Sequence, residues 1–562
     1  MIKVVSVEQM RQIEAAADAS GVSYADMMEN AGQAVALRVI DILAQLPDPS
    51  EARVTLLIGP GNNGGDGLVA GRAISEQSGA LVRFYLLTRR ADDDPHMKAI
   101  QDRGLFIAHA EDDQRFRVLT NMVASAHVVV DALFGIGLQL PLRDNASKLL
   151  RAVRQALDEG DAIEGRPIRL AAPAPRRMVR PYVIAVDCPS GLDCDTGKLD
   201  KQALSADETV TFIAAKPGLF AFPGASAVGS LTVASAGVPG STDGLKDAQR
   251  SVVDPDSARA LLPARPADAN KGTFGKVLIL GGSANYVGAP GMAARAAYRS
   301  GAGLVAVGAP EPTVASLAGH LLETTWLLFP HDMGVLSADA APYIREEAAK
   351  YNVMLIGPGW GREKTTRELL LKLLDDETTR PMRRVIGFSV ETDAGQPEAR
   401  SLPPLVIDAD GLNLLSEIDE WWTHLPEGTT LTPHPGEMAR LSGVETSDVQ
   451  ARRWEIAEEK ARAWNVILVL KGAHTLIAAP DGRVAALPFK TSALAHAGTG
   501  DVLAGAIAGM LAQGLKPYDA AVAAGYLHGL AGEQAALKVG SERSVIAGDV
   551  IEALAEAFRL LS

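Results

Sequence analysis

The sequence predicts two α/β domains in tandem, each a parallel sheet covered by helices on both faces. Three observations carry this. The chain has 562 residues, too many for one ordinary core at roughly 150 residues per domain. Short apolar strands alternate with helical stretches from end to end, the order of βαβ units. The strands are apolar nearly throughout, as strands buried on both faces must be.

The elements follow in order. Residues 6–46 have helical patterning and are closed by the Pro/Ser stretch 47–50. A strand at 54–58 leads into a Gly-rich loop at 59–67 and a helix at 68–77. Further strands are expected at 81–88, within 127–135 and within 181–191. The stretch 237–244 (GVPGSTDG) reads as a linker and puts the boundary near 240–250, so the expected domains are 1–240 and 250–562. In the second, strands are expected at the start of 271–283, at 303–310, and within 353–361, 404–411 and 429–435. One more is expected across 466–478, and helices at 502–515, 518–538 and 548–560. Residues 158–180 and 375–403, rich in Pro, Arg and acids, read as surface insertions.

Composition narrows the function classes. With 54 Lys and Arg against 68 Asp and Glu, the net charge is −14, and no basic face is available for nucleic acid. The start of the chain lacks a signal-like apolar run, and no apolar run approaches the ~18 residues of a membrane span. The two cysteines, Cys188 and Cys194, are expected to be reduced. The expectation is a cytoplasmic protein with small-molecule substrates and no membrane or nucleic-acid partner.

Ligands of parallel sheets bind at strand C-termini, and the unusual loops lie there. In the first domain, Gly59 to Gly67 interleaves five glycines with Asn62, Asn63 and Asp66, offering backbone N–H groups to an anion and amide oxygens to a hard cation. Asp131 and Asp187 each close an apolar strand. A carboxylate there is costly unless paired or bound to a cation, although either could simply cap a helix. Asp187 is a candidate acid/base.

Taken in order, MENAG, GPGNNGGDG, VDALFGIGL and VDCPSGLD make residues 1–235 resemble the NAD(P)H-hydrate epimerase domain, which interconverts the R and S forms of hydrated NADH and NADPH. The resemblance implies a Rossmann-like three-layer αβα fold. It implies contact with the hydrated dinucleotide from Asn62, Asn63, Gly64, Gly65 and Asp66, and from Gly135, Ile136, Gly137, Leu138, Gln139, Leu140 and Pro141. Asp187 would bind substrate and catalyse. Asn63, Asp131 and Ser190 would hold a potassium ion, and Glu29 is a further pocket candidate.

In the second domain, Gly498-Thr499-Gly500 opens a helix and can present N–H groups to a phosphate, with Asp501 at the helix start able to act on a hydroxyl. Lys471 follows a strand, His434 sits between two prolines, and Asp408 and Asp410 end another strand with Asn413 nearby. Alone, each has a structural explanation as well. Together, GGS…YVGAP, GPGW, TPHPGE, KGAHT and AGTGD make 255–560 resemble the ADP/ATP-dependent NAD(P)H-hydrate dehydratase domain, which has the ribokinase-like αβα fold. The resemblance implies hydrate contacts from Ala289, Gly359, His434, Pro435, Gly436, Glu437, Met438, Ala439, Arg440 and Asp501. It implies nucleotide contacts from Lys471, Gly472, Ala473, His474 and Thr475, and from Thr491, Ser492, Ala493, Leu494, Ala495, His496, Ala497, Gly498, Thr499 and Gly500. Asp501 would be the catalytic base, with Mg²⁺ on the phosphates and, in the bacterial two-domain form, ADP as phosphoryl donor.

The expected function is therefore bifunctional repair, with epimerase and dehydratase acting in sequence, and the expected assembly is a homo-oligomer that buries the helical N-terminal arm. The AGTGD turn equally fits a ribokinase-like vitamin or sugar kinase, and the first domain could be a non-catalytic nucleotide-binding module. A kinase would accumulate phosphorylated product; a dehydratase would release phosphate and regain reduced-nicotinamide absorbance.

Overall fold

A computed structural model describes residues 1–91, 93–159, 180–375 and 402–562. The insertions expected at 158–180 and 375–403 fall almost wholly outside them. The chain divides into two compact units, Ile2–Ala248 and Gln249–Ser562, with Met1 grouped with the second.

In the N-terminal unit the described residues form a seven-stranded parallel sheet. Its order is Phe106–His109, Leu81–Leu86, Arg53–Ile58, Val128–Ala132, Tyr182–Val186, Glu208–Phe212 and Ser230–Ala234. Alternation within one strand builds the layers. Val54, Leu56 and Ile58 pack with helix Tyr24–Leu43 and helix Asn62–Gln77, while Leu57 packs on the opposite face with Leu119, Leu149 and Val153. Chain order reverses at Arg53–Ile58, which pairs with Leu81–Leu86 on one side and Val128–Ala132 on the other. This is the switch point where open α/β sheets leave a crevice. The N-terminal helical region is two helices, Val7–Ala19 and Tyr24–Leu43, each started by a serine capping box at Ser6 and Ser23.

One expectation is corrected here. The helix begins at Asn62, not after Gly67, and no glycine from Gly59 to Gly67 adopts positive φ. They are small for packing instead. A Cβ on Gly64 would lie 2.1 Å from the Gly59 carbonyl oxygen, and one on Gly67 would lie 2.5 Å from Ala132.

The C-terminal unit is a larger mixed sheet. Strands Ile467–Leu470, Thr430–Leu431, Leu405–Ile407, Val353–Ile356, Lys276–Leu280, Leu304–Ala309 and Thr325–Leu328 are neighbours in that order and all parallel. Beyond Ile467–Leu470 the sheet continues antiparallel through Leu476–Ala478 and Val484–Ala486. The single strand expected across 466–478 is thus a hairpin. Gly472 (φ +137°) and His474 (φ +52°) turn the chain between its arms. Helices Gly288–Arg299, Thr499–Ala512, Pro517–Val539 and Ala547–Leu561 cover one face, with Thr499–Ala512 buried over most of its length. That burial accounts for the apolar, small-residue run from Val502 to Ala512, where the helix expected at 502–515 ends. Among the described residues no helix is long and apolar enough to cross a membrane.

Candidate functional site

Three adjacent strand ends of the N-terminal unit, Ile58, Ala132 and Val186, deliver their loops to one cavity of about 620 Å³. Of the residues singled out from sequence, Asn62, Asn63, Asp66, Gly135 to Gln139 and Asp187 line it. Gly64 and Gly65 lie beneath, against Gly59 and Met28. Leu140, Pro141 and Glu29 do not line it; Glu29 pairs with Arg72 and Gln33.

Asp187 is the centre of this site. It has φ +65°, a strained conformation for a non-glycine residue. Its Oδ1 accepts from Lys216 Nζ (2.6 Å) and Thr211 Oγ1 (3.1 Å), and its Oδ2 accepts from the Ile136 N–H (3.1 Å). Lys216 is 1 % exposed. Burial alone would lower its pKa, but the Asp187 charge and hydrogen bond outweigh that and raise it. Glu14 and Asp66, also on the cavity, are pushed up by burial and by the charge of Asp187. The site therefore combines one cation-paired carboxylate with two carboxyls that hold protons more tightly than usual, a set able to donate and accept protons.

Lys216, Glu14 and Arg11 were not singled out from sequence. Lys216 had one legible sign: a lysine in the loop IAAKPG that follows the strand Glu208–Phe212.

Asp131, fully buried, accepts from the Ser190 N–H (2.8 Å), Ser190 Oγ (2.6 Å) and the Leu133 N–H (3.3 Å). Burial raises its pKa and the Ser190 bonds pull it down. Asn63 Oδ1 and Nδ2 are buried without a hydrogen-bond partner. A Cβ built on Gly135 would lie 3.2 Å from Asn63 Oδ1 and 3.0 Å from Asp187 Oδ2, so the amide and the carboxylate converge on one loop. An orphaned amide oxygen together with a buried carboxylate and a hydroxyl is a donor set that fits a hard monovalent cation. Cys188 and Cys194 are free and buried.

In the C-terminal unit a cavity of about 200 Å³ is lined by Lys471, Gly472, Ala473, Thr475, Thr491, Leu494, Ala495, Thr499 and Gly500 of the expected nucleotide set. His474 is turned into the core, its Nδ1 at 3.1 Å from the Leu487 carbonyl. Ser492 bonds Glu542. Ala493, His496, Ala497 and Gly498 lie off the lining. Phe489 and His528 line the cavity and were not anticipated. His528 Nε2 lies 2.9 Å from the Thr499 carbonyl, and burial holds its pKa down at about 4, so the ring is neutral.

Gly498 (φ +91°) caps the helix Thr499–Ala512. A Cβ on Gly500 would lie 3.5 Å from Lys471 Nζ and 3.9 Å from Asp408 Oδ2, which puts the ammonium beside the helix N-terminus. Lys471 donates to Asp408 (2.7 Å), and Asp408 also accepts from Thr432 Oγ1 (2.7 Å). Ala409 (φ +50°, ψ −120°) is strained between Asp408 and Asp410. Asp501 is pushed up to about 7, by burial first and by the charges of Asp408 and Asp410, despite Lys471. Such a group is poised to gain or lose a proton near neutrality.

The expected hydrate side lies around the same strand ends. Gly359 packs on Tyr286 and Ala289, Asp410 accepts from the Gly361 N–H (3.0 Å), and Arg440 donates to Asn413. His434 caps the helix Pro435–Ser442, its Nδ1 accepting from the Gly436 N–H (3.0 Å). Among the described residues no three His, Cys, Asp or Glu side chains gather as a metal cluster. Asp408 and Asp410 follow one strand end, and a Mg²⁺ carried on nucleotide phosphates would need one or two such carboxylates near it.

Comparison with known proteins agrees with this division. Residues 277–555 match the family described as NAD(P)H-hydrate dehydratase, and residues 24–218 match the family described as YjeF-related protein N-terminus. The chain is 35 % identical to the bifunctional NAD(P)H-hydrate repair enzyme Nnr of Moorella thermoacetica, over 95 % of this chain and 92 % of that one. It is 30 % identical to Nnr of Escherichia coli, over 96 % of this chain and 90 % of that one. Among solved structures, the ADP/ATP-dependent NAD(P)H-hydrate dehydratase of Bacillus subtilis, co-crystallised with ATP and Mg²⁺, is 29 % identical; the match covers 56 % of this chain and 99 % of that one, with a TM-score of 0.44.

Proposed function

The chain belongs to the bifunctional NAD(P)H-hydrate repair enzymes, with an epimerase and a dehydratase domain, and from that premise we propose how its residues divide the work. Residues 1–240 interconvert R and S hydrate. Residues 250–562 dehydrate the S form with ADP as phosphoryl donor, leaving AMP and phosphate. Spontaneous hydration makes both epimers, so the first activity feeds the second.

In the epimerase, Asp187 exchanges a proton with the hydroxyl on the carbon beside the ring nitrogen, and Lys216 holds the carboxylate in place. Asn62, Asn63, Asp66 and the segment Gly135 to Gln139 seat the dinucleotide. Asn63, Asp131 and Ser190 would hold a potassium ion, which supplies positive charge beside the bound anion.

In the dehydratase, the observation that carries the reading is that Lys471 Nζ and Asp408 Oδ2 lie within about 4 Å of where a Cβ on Gly500 would be, at the N-terminus of the Asp501 helix. Asp501 takes the proton of the hydrate hydroxyl as its oxygen attacks the phosphoryl group. The N–H groups of Gly498 to Gly500 and Lys471 stabilise the phosphates, and Mg²⁺ neutralises them when bound. Lys471, Gly472, Ala473, Thr475, Thr491, Leu494, Ala495, Thr499 and Gly500 surround the nucleotide, while Ala289, Gly359 and His434 to Arg440 seat the hydrate. Phosphorylation turns a poor leaving group into a good one, and the ring nitrogen drives phosphate out. A cytoplasmic location and a homo-oligomer complete the proposal.

The test is turnover of S hydrate with ADP or ATP. Equal yields of AMP, phosphate and reduced nicotinamide support the reading. A phosphorylated end product would instead identify a kinase, and turnover with ATP alone would overturn ADP as donor.

A further inference from the structure

Restoring the dihydronicotinamide moves two protons, and Asp501 accounts for one. Water adds across a cyclic enamine so that the hydroxyl goes to the carbon beside nitrogen and a hydrogen to the next carbon. Reversal must remove both. Asp501 takes the hydroxyl proton as the oxygen–phosphorus bond forms and the donor's phosphoanhydride bond breaks. The carbon–oxygen bond then breaks, phosphate leaves with its electron pair, and the nitrogen lone pair makes an iminium. The adjacent C–H bond must next give its proton to a base. Its electrons become the ring double bond and nitrogen regains its lone pair. Asp501, already protonated, cannot serve that step without first losing its proton.

The neighbouring groups can be compared as acceptors. Asp408 is committed to Lys471 and Thr432 at 2.7 Å each. Asp410 accepts from the Gly361 N–H. His434 uses Nδ1 to accept from the Gly436 N–H, so its other nitrogen carries the proton and is a donor. Glu437 differs. It is 5 % exposed, yet its nearest cation, Lys471 Nζ, is 3.9 Å away and already paired with Asp408. Its Oε2 accepts from the His434 N–H at 2.8 Å, and its Oε1 lies 3.5 Å from His434 Nε2, at the outer limit of a hydrogen bond. Oε1 of this buried, poorly compensated carboxylate therefore has only the distant His434 Nε2–H as a donor, too weak a bond to prevent it from taking a proton.

We propose that Glu437 is the base that takes the ring-carbon proton in the elimination step. This rests on the dehydratase reading above. Burial, with help from Asp408 and only partial relief from Lys471, pushes Glu437 up to about 7, which favours proton transfer from carbon near neutrality. Its other role, as third residue of a capping box, is one glutamine fills equally well. Glu437→Gln therefore removes the base and keeps the cap.

The experiment measures AMP and reduced nicotinamide together, from S hydrate and ADP. Wild type should yield them one to one. Glu437→Gln should still make AMP, but reduced nicotinamide should fall at least about tenfold below it, the balance remaining as phosphorylated or re-formed hydrate. Glu437→Asp, which keeps a carboxylate, should regain part of the coupling and show a larger isotope effect when the ring carbon carries deuterium. Two outcomes overturn the proposal: one-to-one yields in Glu437→Gln, or loss of AMP formation as complete as the loss of reduced nicotinamide. A wild type that makes neither AMP from ADP nor ADP from ATP would instead overturn the dehydratase reading.

Discussion

Lys216 Nζ and Asp187 Oδ1 are 2.6 Å apart, joining a fully buried ammonium to a carboxylate held at positive φ on the cavity wall. Thr211 bonds both partners, donating to Asp187 and accepting from Lys216. The triad fixes where the Asp187 oxygens point, which acid–base work on a substrate hydroxyl requires.

Breaking that pair should separate activity from dehydration. Asp187→Asn and Lys216→Met should each lower R-to-S conversion by about 10²–10⁴-fold while S hydrate is still consumed. Lys216→Met should also destabilise the N-terminal unit by about 3–5 kcal/mol, because it leaves a buried carboxylate unpaired. Epimer ratios by chromatography and a melting curve check both.

The potassium set gives a second expectation. Ser190→Ala removes a donor to buried Asp131 and an acceptor for the Phe134 N–H, costing about 1–3 kcal/mol. Epimerase activity should fall when potassium is replaced by a bulky organic cation, and Ser190→Ala should need more potassium for half-maximal rate. Equal activity in both salts would remove the ion from the account.

Asp501 sets a pH dependence whose sign can be worked out. It must be ionised to accept a proton, and it titrates at about 7 beside Asp408, Asp410 and Lys471. The dehydratase rate should therefore rise as pH climbs from 6 to 8. Stability runs the other way. A carboxyl raised on folding contributes stability that is fully present below its unfolded value of 3.8 and is lost as pH rises through about 7. Asp501→Asn should abolish AMP formation yet melt higher than wild type at pH 8, by at most about 4 kcal/mol, with the gap closing in acid. Melting curves at pH 5 and pH 8 read this directly.

The packing glycines are a fourth case. Gly64→Ala would force a Cβ to 2.1 Å from the Gly59 carbonyl oxygen. It should destabilise the N-terminal unit by about 1–3 kcal/mol and displace Asn63, lowering epimerase activity. Gly61→Ala, with open space around the Cβ, should be close to neutral in stability.

Much of this was legible in the sequence because strand ends and loops are local. Apolar runs closed by Asp131, Asp187 and Asp408 marked the carboxylates, and the AGTGD turn marked the helix that carries Asp501. What was not legible depends on distant partners. Lys216 is buried because Asp187, 29 residues earlier, lies against it, and no local pattern encodes that pair. His528 lines the cavity of the C-terminal unit from a helix stretch, AAGYLHGLAG, that is mostly apolar and small. The glycines of 59–67 read as a loop offering N–H groups to an anion, whereas Gly64 and Gly67 serve close packing of helix against strand and loop, visible only once both are placed.

The measurement that tests the central claim most directly is the end point of a reaction of mixed R and S hydrate with excess ADP, potassium and magnesium. Wild type should convert all of it to reduced nicotinamide, with AMP in equal amount. Asp187→Asn should convert the S share rapidly and then slow to the rate of spontaneous epimerisation. A wild-type reaction that halts once the S share is spent, or an Asp187→Asn protein that runs to completion at the wild-type rate, would contradict the account.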